Sequence, residues 1–275
     1  MATLRRVLVQ RPGARFGEAF EDRRNGFRHE VDLGRARDEH AGFVDLLASL
    51  GCEVSVLEDG TMGPDFVYQY DPSLVVDRGA ILLRSGKPTR RGEEDVHGRW
   101  YDERHIPIVG AIEPPGTVDG GDVCWLAPGE LAVGRTLRTN QAGIEQMREL
   151  VTEVVHVFDM PYDRGPDECL HLMSVISPVA EDVAAVELAR LPVGLYDRCR
   201  ELGIGLVEVP PEEVPTLGCN VLAVAPRTAV MLEGNPITQR RLEERDVDVH
   251  TFEGDEICLN GSGGPTCLTR PILRA

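Results

Sequence analysis

The sequence contains almost no lysine. Lys87 is the only lysine in 275 residues, so arginine supplies 28 of the 29 basic side chains. Enzymes that use pyridoxal phosphate need a lysine to form a Schiff base, and a P-loop needs the run Gly-Lys-Ser/Thr. Because Pro88 follows Lys87, the chain has no P-loop, and the scarcity of lysine argues against pyridoxal phosphate.

Motifs of other common enzyme classes are absent as well. The sequence has no HExxH, GxGxxG, GxSxG or CxxC run. Zinc-protease, dinucleotide-binding and serine-hydrolase functions therefore have no local support. We expect the protein to need neither a metal ion nor an organic cofactor.

Positive charge and long apolar runs are also scarce. Asp and Glu outnumber Lys and Arg by 46 to 29, which gives a formal net charge of −17. Nucleic-acid binding depends on neutralising phosphates, so we expect no nucleic-acid partner, and a small cation suits this charge better. No stretch approaches the roughly 18–20 apolar residues of a membrane helix, and the first apolar run ends at Gln10, too early for a signal peptide.

Cysteine usage and composition complete this first description. The seven cysteines are odd in number and widely scattered. In a chain without an export signal, they are expected to be reduced thiols, of which at most one is chemically special. We predict a cytoplasmic protein, away from membranes, with one domain over residues 1–275 because no linker divides the chain. A homo-oligomer remains possible.

One succession of elements recurs about every 45–50 residues. The clearest copy has two apolar runs around the turn Pro128-Gly129, a helical pattern over Asn140–Leu150 and a buried strand over Val154–Phe158. Similar successions begin near residues 65, 170 and 220, with helices predicted near 93–104, 194–202 and 236–244. A looser copy, with a helix over 35–50, opens the chain.

Five copies of a β-β-α-β unit predict a closed radial array, because no unit can bury its apolar faces alone. The predicted fold class is thus α/β, a five-bladed pseudo-symmetric propeller around a central active site. The alternative is an ordinary mixed α/β sheet with evenly spaced elements.

Polar residues stand at the start of the inner strand of each unit. In a radial repeat these positions surround one axis, so their side chains should converge on one pocket. The residues are Asp65, Asp71, Asp119, Asp122, His171, Asn220 and, just beyond the fifth unit, Cys267. Carboxylates, a histidine and a cysteine form a chemically coherent set, and triads of this kind are recognised by geometry rather than by sequence position.

Each of these residues also has an ordinary structural interpretation. Cys267 could be a core cysteine, His171 a core histidine and Asp119 a turn residue. Cys267 differs from the other cysteines because Gly263-Gly264 precedes it, and glycines permit close approach of the backbone to a ligand.

Four runs of sequence resemble the guanidine-modifying superfamily, whose fold is the pentein propeller. They lie at Thr117–Val123, Gly134–Gln141, Leu170–Leu172 and Gly263–Leu268, in the family's order and across essentially the whole chain. The family includes dimethylarginine dimethylaminohydrolases, arginine deiminases and amidinotransferases. The length of the chain favours the compact dimethylaminohydrolase branch.

The resemblance implies catalytic roles for three residues. Cys267 matches the nucleophile, His171 the general acid and base, and Asp119 the acidic residue that orients the histidine. The implied reaction is hydrolysis of a methylated arginine or an arginine-like guanidine, through a covalent S-amidino adduct, to citrulline or another ureido product and an amine.

The resemblance also implies a substrate-binding set. Asp71 matches the carboxylate that grips the guanidinium, and Asp65 a further substrate contact. Arg90 and Arg138 match the pair that holds the α-carboxylate, although each could be an ordinary surface arginine. The segment 13–34 matches a lid.

Two positions depart from the family pattern and bear on substrate choice. Tyr70 stands where dimethylaminohydrolases usually carry glutamate, and Met173 where aspartate or lysine is common. An arginine deiminase-like activity, an amidinotransferase that passes the adduct to an amine, and a non-catalytic module that binds arginine-like cations remain as alternatives.

Overall fold

The structure is a computed structural model of the 275-residue chain and describes residues 2–165, 168 and 170–275. In this part of the chain, fifteen strands form five three-stranded sheets. The strands are β1 (Leu4–Gln10), β2 (Glu53–Leu57), β3 (Ser73–Val76), β4 (Gly79–Leu82), β5 (Ile108–Ala111), β6 (Val123–Ala127), β7 (Glu130–Arg135), β8 (Val154–Asp159), β9 (Ile176–Pro178), β10 (Val183–Val186), β11 (Gly205–Glu208), β12 (Leu222–Ala225), β13 (Thr228–Leu232), β14 (Asp248–Phe252) and β15 (Arg270–Arg274).

Every sheet has the same internal arrangement. Its middle strand pairs antiparallel with one neighbour and parallel with the other. The antiparallel partners in four sheets are joined by a tight turn, whereas the parallel partners need a longer crossover, which here contains a helix. The predicted β-β-α-β unit is thereby confirmed.

The helices fall close to their predicted positions. Those in the five crossovers begin and end within two residues of the helices expected from apolar periodicity. The helices are α1 (Ala14–Gly17), α2 (Leu33–Ser49), α3 (Glu93–Glu103), α4 (Gln141–Leu150), α5 (Val193–Glu201) and α6 (Pro236–Glu243). None of the helices among the described residues is long and apolar enough to cross a membrane.

The sheet at the start of the chain is completed by the end of the chain. β15 pairs antiparallel with β1, so that Leu4 faces Arg274 and Leu8 faces Arg270. The opening unit looked loose in the sequence because its first strand lies at the C-terminus. Pairing of the two ends closes the array.

Five apolar clusters join the sheets into a ring. One lies between each pair of consecutive sheets, and the fifth joins the β12–β14 sheet back to the β1 sheet. Representative buried residues of the five clusters are Leu8 with Ala80, Leu74 with Val123, Cys124 with Ile176, Val183 with Ala229, and Leu222 with Val9. This closed arrangement is the predicted five-bladed α/β propeller.

Candidate active site

One polar residue in each repeat precedes the first strand of its sheet. Asp71 precedes β3, Asp122 precedes β6, His171 precedes β9, Asn220 precedes β12 and Cys267 precedes β15. Because these positions are equivalent in a ring of repeats, their side chains belong to one central region. Hydrogen bonds between the loops that carry them connect this region.

Asp119 and His171 form a hydrogen-bonded pair. The Nε2 atom of His171 lies 3.1 Å from Asp119 Oδ2. The other carboxylate oxygen accepts the Ser85 hydroxyl at 2.8 Å and the Gly86 amide at 2.9 Å. These donors offset the cost of burying a carboxylate that is completely shielded from solvent. Since an ionised carboxylate only accepts, Nε2 of His171 carries a proton, and Nδ1 is left for proton exchange.

The charges around His171 favour its protonated form. Burial by itself lowers the pKa of His171, but neighbouring carboxylates outweigh burial and raise it to about 9. Those carboxylates are Asp122, Asp119 and Asp71. Burial acts to raise the pKa of Asp119, but the hydrogen bond and charge of His171 hold it well below its usual range. The pair is therefore an imidazolium and a carboxylate at neutral pH.

The Cys267 thiol lies on the loop before β15 and has a polar partner. Its Sγ accepts a hydrogen bond from Asn220 Nδ2 at 3.1 Å, and Asn220 Oδ1 accepts the Thr266 amide at 3.0 Å. The Tyr70 amide donates to the Cys267 carbonyl at 3.1 Å, which fixes this loop beside the one that carries Asp71. A Cβ at Gly264 would lie 2.5 Å from Asn220 Cγ, so this close approach requires glycine.

The resting state of Cys267 is a neutral thiol. Burial raises its pKa to about 11, and the negative charge of Asp71 adds to that effect. The six described cysteines are free thiols, five of them buried and Cys267 partly exposed, while Cys169 lies outside the described residues. Nearby positive charge would lower the pKa of the Cys267 thiol. A cation bound next to Asp71 would supply such charge.

Asp71 lies within 4.8 Å of the histidine, its charge also acts on the Cys267 thiol, and two donors hold it. Its Oδ1 accepts the Gly121 amide at 2.7 Å, and its Oδ2 accepts from Arg90 Nη1. The side chain of Arg90 is only 4% exposed, and it also donates to Glu93 and to the Tyr68 carbonyl. A carboxylate has about four acceptor positions, so Asp71 can still accept from a guanidinium.

The remaining predicted binding residues lie at different depths. Arg138 is 13% exposed, with Nη1 at 3.7 Å from Asp119 Oδ2. Asp65 forms an ion pair with Lys87, with 2.5 Å between Oδ2 and Nζ. Arg90 could grip a substrate carboxylate bidentately only by leaving its present partners. The substrate contacts expected for Asp65, Asp71, Arg90 and Arg138 stay predictions.

The two residues that depart from the family pattern have structural partners. The ring of Tyr70 lies against the guanidinium of Arg270, with 4.0 Å between Cζ and the ring centroid. Met173 packs against an apolar cluster that contains Leu126 and Ile176. Tyr70 thus supplies no second carboxylate beside Asp71.

A cation would suit the middle of this site. Oxygen or nitrogen atoms of Asp71, Asp119 and His171 all lie within 4.8 Å of one another. A metal ion would require the imidazole of His171 to give up the proton that its carboxylate neighbours favour. A guanidinium needs no such change, because it donates hydrogen bonds to carboxylates directly. The expectation that neither a metal nor a cofactor is needed stays a prediction.

Comparisons with known proteins agree with this fold and identify the family of the chain. The family model described as arginine deiminase matches residues 187–274. The chain is 31% identical to an arginine deiminase of Mycobacterium avium, over 84% of this chain and 68% of that protein. It is 27% identical to an N(G),N(G)-dimethylarginine dimethylaminohydrolase of Pseudomonas aeruginosa, over 86% and 89% of the two chains.

Solved structures show the same fold. A cysteine-to-serine mutant of the Pseudomonas aeruginosa dimethylarginine dimethylaminohydrolase, complexed with citrulline, superposes with a TM-score of 0.83 at 21% identity, over 99% of this chain and 100% of that one. The architecture is thus the five-bladed pentein propeller. The chain belongs to the guanidine-modifying superfamily, which contains the arginine deiminases and the dimethylarginine dimethylaminohydrolases.

Several residues around the site were not selected from the sequence. Ser85 and Gly86 hold Asp119, Glu93 holds Arg90, and Lys87 pairs with Asp65. Glu93 stands three residues after Arg90, a spacing that brings side chains together at the start of a helix and could have indicated the pair. Lys87 carried a signal as well, since it is the only lysine in the chain.

Proposed function

We propose that the protein is a cysteine-dependent hydrolase of a guanidine substrate, namely arginine or an N-omega-methylated arginine. The observation that carries this proposal is that Asp71, which lies close to the hydrogen-bonded pair of Asp119 and His171, also acts electrostatically on the Cys267 thiol. The products would be citrulline, or another ureido compound, and ammonia or an alkylamine.

The guanidinium would bind against Asp71. This carboxylate is ordered by the Gly121 amide and by Arg90, and it keeps acceptor positions for N–H groups of the substrate. The ion pair would offset the desolvation of the bound cation. The same positive charge would counter the effect of Asp71 on the Cys267 thiol, so that binding of the substrate favours the thiolate.

The first chemical step would form an S–C bond. A guanidinium carbon is a poor electrophile because its charge is shared by three nitrogens, so attack needs a strong nucleophile such as a thiolate. As the Sγ atom of Cys267 attacks, the C–N bond to the leaving amine breaks, and His171 gives that nitrogen a proton. A covalent S-amidino adduct remains.

The second step would release the ureido product. Water loses a proton to His171 and attacks the amidino carbon, after which the C–S bond breaks and the sulfur of Cys267 leaves. Asp119 would keep the imidazole in one orientation and stabilise its charged form throughout, through the bond to Nε2.

The far end of the substrate would meet groups at the edge of the site. We expect Arg138 to pair with an α-carboxylate, and Arg90 would order Asp71 while remaining a candidate for the same carboxylate. The segment 13–34 would cover the substrate. It is tied to the loop before β15 because Asn260 Oδ1 accepts the amides of Arg28 and His29 at 3.0 and 3.1 Å.

We also propose a cytoplasmic protein with one domain, no nucleic-acid or membrane partner, and no metal or organic cofactor. The net charge of −17 supports the absence of a nucleic-acid partner, and the lack of an apolar run of membrane length supports the absence of a membrane partner.

Product analysis tests the proposal. The protein is incubated with arginine, its mono- and dimethylated forms, or agmatine, and the released amine and ureido product are identified by mass spectrometry. A parallel reaction contains glycine as an amine acceptor. Citrulline formation that is unchanged by glycine supports a hydrolase, a guanidino product from glycine would establish an amidinotransferase, and absence of any product would refute an enzymatic role.

A further inference from the structure

Lys87 is a cation beside the candidate active site that the proposed mechanism does not use. Its Nζ lies 2.5 Å from Asp65 Oδ2, and the side chains of the two residues are 15% and 10% exposed. Asp65 is the one hydrogen-bond acceptor that the described residues offer to this ammonium group. An ammonium has three N–H donors, so Lys87 retains donors for a ligand.

The position of Lys87 is fixed by the residues before it. The Ser85 hydroxyl and the Gly86 amide both donate to Asp119, and the amide of Lys87 donates to Ser85 Oγ at 3.1 Å. Gly86 packs so closely on the backbone of Arg138 that a Cβ there would lie 2.3 Å from the carbonyl oxygen of Arg138. Lys87 therefore lies where the loops carrying Asp119 and Arg138 meet.

The lid segment 13–34 packs beside the partner of this lysine, because α1 of that segment contacts the turn at residues 64–67, which contains Asp65. Asp22 on that segment has a pKa lowered to about 2, chiefly by hydrogen bonds from Arg24, with a smaller contribution from the positive charge of Lys87. Asp65 and its partner Lys87 are thus neighbours of the segment expected to close over the far end of a substrate.

We propose that Lys87 is a specificity-determining residue, which makes the site accept guanidines with a carboxylate at the far end and disfavour guanidines whose far end carries only an ammonium. This inference deepens the proposed function and depends on it. Its ligand class is the guanidino carboxylic acids.

The physical reason is the charge of the Asp65 region. With Lys87 present, the carboxylate of Asp65 is neutralised, and the remaining N–H donors of Lys87 can bind a carboxylate. Without the lysine, Asp65 would be an unpaired and nearly buried carboxylate. It would then repel a carboxylate and attract an ammonium. Removal of one side chain should therefore reverse the preference.

Calorimetric binding to the Cys267→Ser variant tests the proposal without turnover. The ligands are 4-guanidinobutyrate, which has only a carboxylate at its far end, and agmatine, which has only an ammonium. Lys87→Met should lower the affinity for 4-guanidinobutyrate at least about tenfold, as expected for a lost charged hydrogen bond. The same change should raise the affinity for agmatine. Lys87→Arg keeps the charge and should preserve the order of affinities. Arg91→Met, which removes an exposed cation nearby, should change neither affinity.

The double variant Lys87→Met with Asp65→Asn removes both charges. It should lose affinity for 4-guanidinobutyrate but gain none for agmatine. Equal affinities of the Lys87→Met variant and its parent for both ligands would overturn the proposal.

Amine acylation provides a measurement on the unmodified protein. Because the sequence has one lysine, an N-hydroxysuccinimide ester can label only Lys87 and the terminal amine, and peptide mass mapping separates the two. Saturating 4-guanidinobutyrate should slow acylation of Lys87, and agmatine should not. Equal protection by both ligands would contradict the proposal even if Lys87→Met failed to fold.

The outcomes separate this inference from the proposed function. Binding of guanidines with no effect of Lys87 refutes the inference alone. If the predicted binding preference is observed but the protein with Cys267 intact turns over no guanidine, the proposed function alone is refuted. Failure of every guanidine to bind refutes both.

Discussion

Activation of the thiol by its own substrate is the prediction that depends most directly on the charges in the site. With a pKa of about 11, Cys267 is almost entirely protonated at neutral pH. At pH 7 about one molecule in 10,000 would carry the thiolate. A cation about 4 Å from the sulfur, at an effective dielectric constant of about 20, stabilises a thiolate by about 4 kcal/mol. This corresponds to a fall in the pKa of about three units, or a thousandfold more thiolate.

Alkylation of Cys267 measures this effect. Iodoacetamide is neutral, whereas 2-chloroacetamidine carries an amidinium that can pair with Asp71. The rate for iodoacetamide should rise about tenfold per pH unit from pH 7 to pH 10 without a plateau. The rate of each reagent is divided by its rate with a free thiol. On this scale, chloroacetamidine should react with Cys267 more than a hundredfold faster than iodoacetamide at pH 7. Peptide mass mapping assigns the label to Cys267, and the five buried cysteines serve as internal controls.

Asp71→Asn gives the matched control. Asp71 raises the pKa of the thiol and attracts the amidinium. Its replacement should therefore increase the rate of alkylation of Cys267 by iodoacetamide and decrease the rate of alkylation by chloroacetamidine. The reasoning is refuted if iodoacetamide reaches its plateau rate by pH 8, or if the two reagents keep their ratio in Asp71→Asn.

Three further predictions concern single side chains. His171→Ala should reduce turnover at least about a thousandfold. Turnover of the wild type should fall above about pH 9, because an acid with the raised pKa of His171 loses its proton there. Activity that stays constant to pH 10 would exclude His171 as the acid. Asn220→Leu removes the hydrogen-bond donor to Cys267 Sγ. The pKa of Cys267, measured from the pH dependence of alkylation by iodoacetamide, should therefore rise, and kcat should fall about tenfold. An unchanged pKa and kcat would show that the hydrogen bond at 3.1 Å has no energetic role. Arg138→Met should raise KM for arginine-type substrates at least about tenfold and leave agmatine almost unchanged; an equal rise for agmatine would disprove the carboxylate contact.

The repeats were predictable because the sequence features that define their helices and strands lie within short stretches of the chain. The helix α4, for example, follows Asn140, whose side chain accepts the Gly143 amide at 2.8 Å, and Ile144 and Met147 lie on its buried face. Apolar periodicity and a capping residue are visible in any short window of sequence. The five helices were therefore placed to within two residues.

Closure of the ring was not predictable in the same way. The pairing of Leu4 with Arg274 joins opposite ends of the chain and leaves no local trace in the sequence. The opening repeat consequently looked incomplete, although the strand that completes it was present near the C-terminus.

The part of the candidate site that could be predicted consists of polar residues at corresponding positions of the repeats. Asp119, His171 and Cys267 became candidates because they stand at or near the starts of the inner strands, and their roles were inferred from the family resemblance. The structure joins the first two by a hydrogen bond, and their catalytic roles stay predictions. Ion pairs are harder to predict, because the sequence does not show which neighbour a charged group selects. For Arg90 the sequence indicated only a substrate contact, which stays a prediction, and the ion pairs of its guanidinium with Asp71 and Glu93 became visible only in the structure.

The covalent intermediate is the central claim and can be tested by one measurement. The protein is mixed with arginine or the methylated arginine that product analysis identifies, quenched in acid within milliseconds, digested and analysed by mass spectrometry. We predict a transient mass increase on the peptide that contains Cys267, equal to the amidino group with its ornithine chain, that disappears as citrulline accumulates. Full turnover without any adduct on Cys267, or an adduct on another residue, would contradict this account.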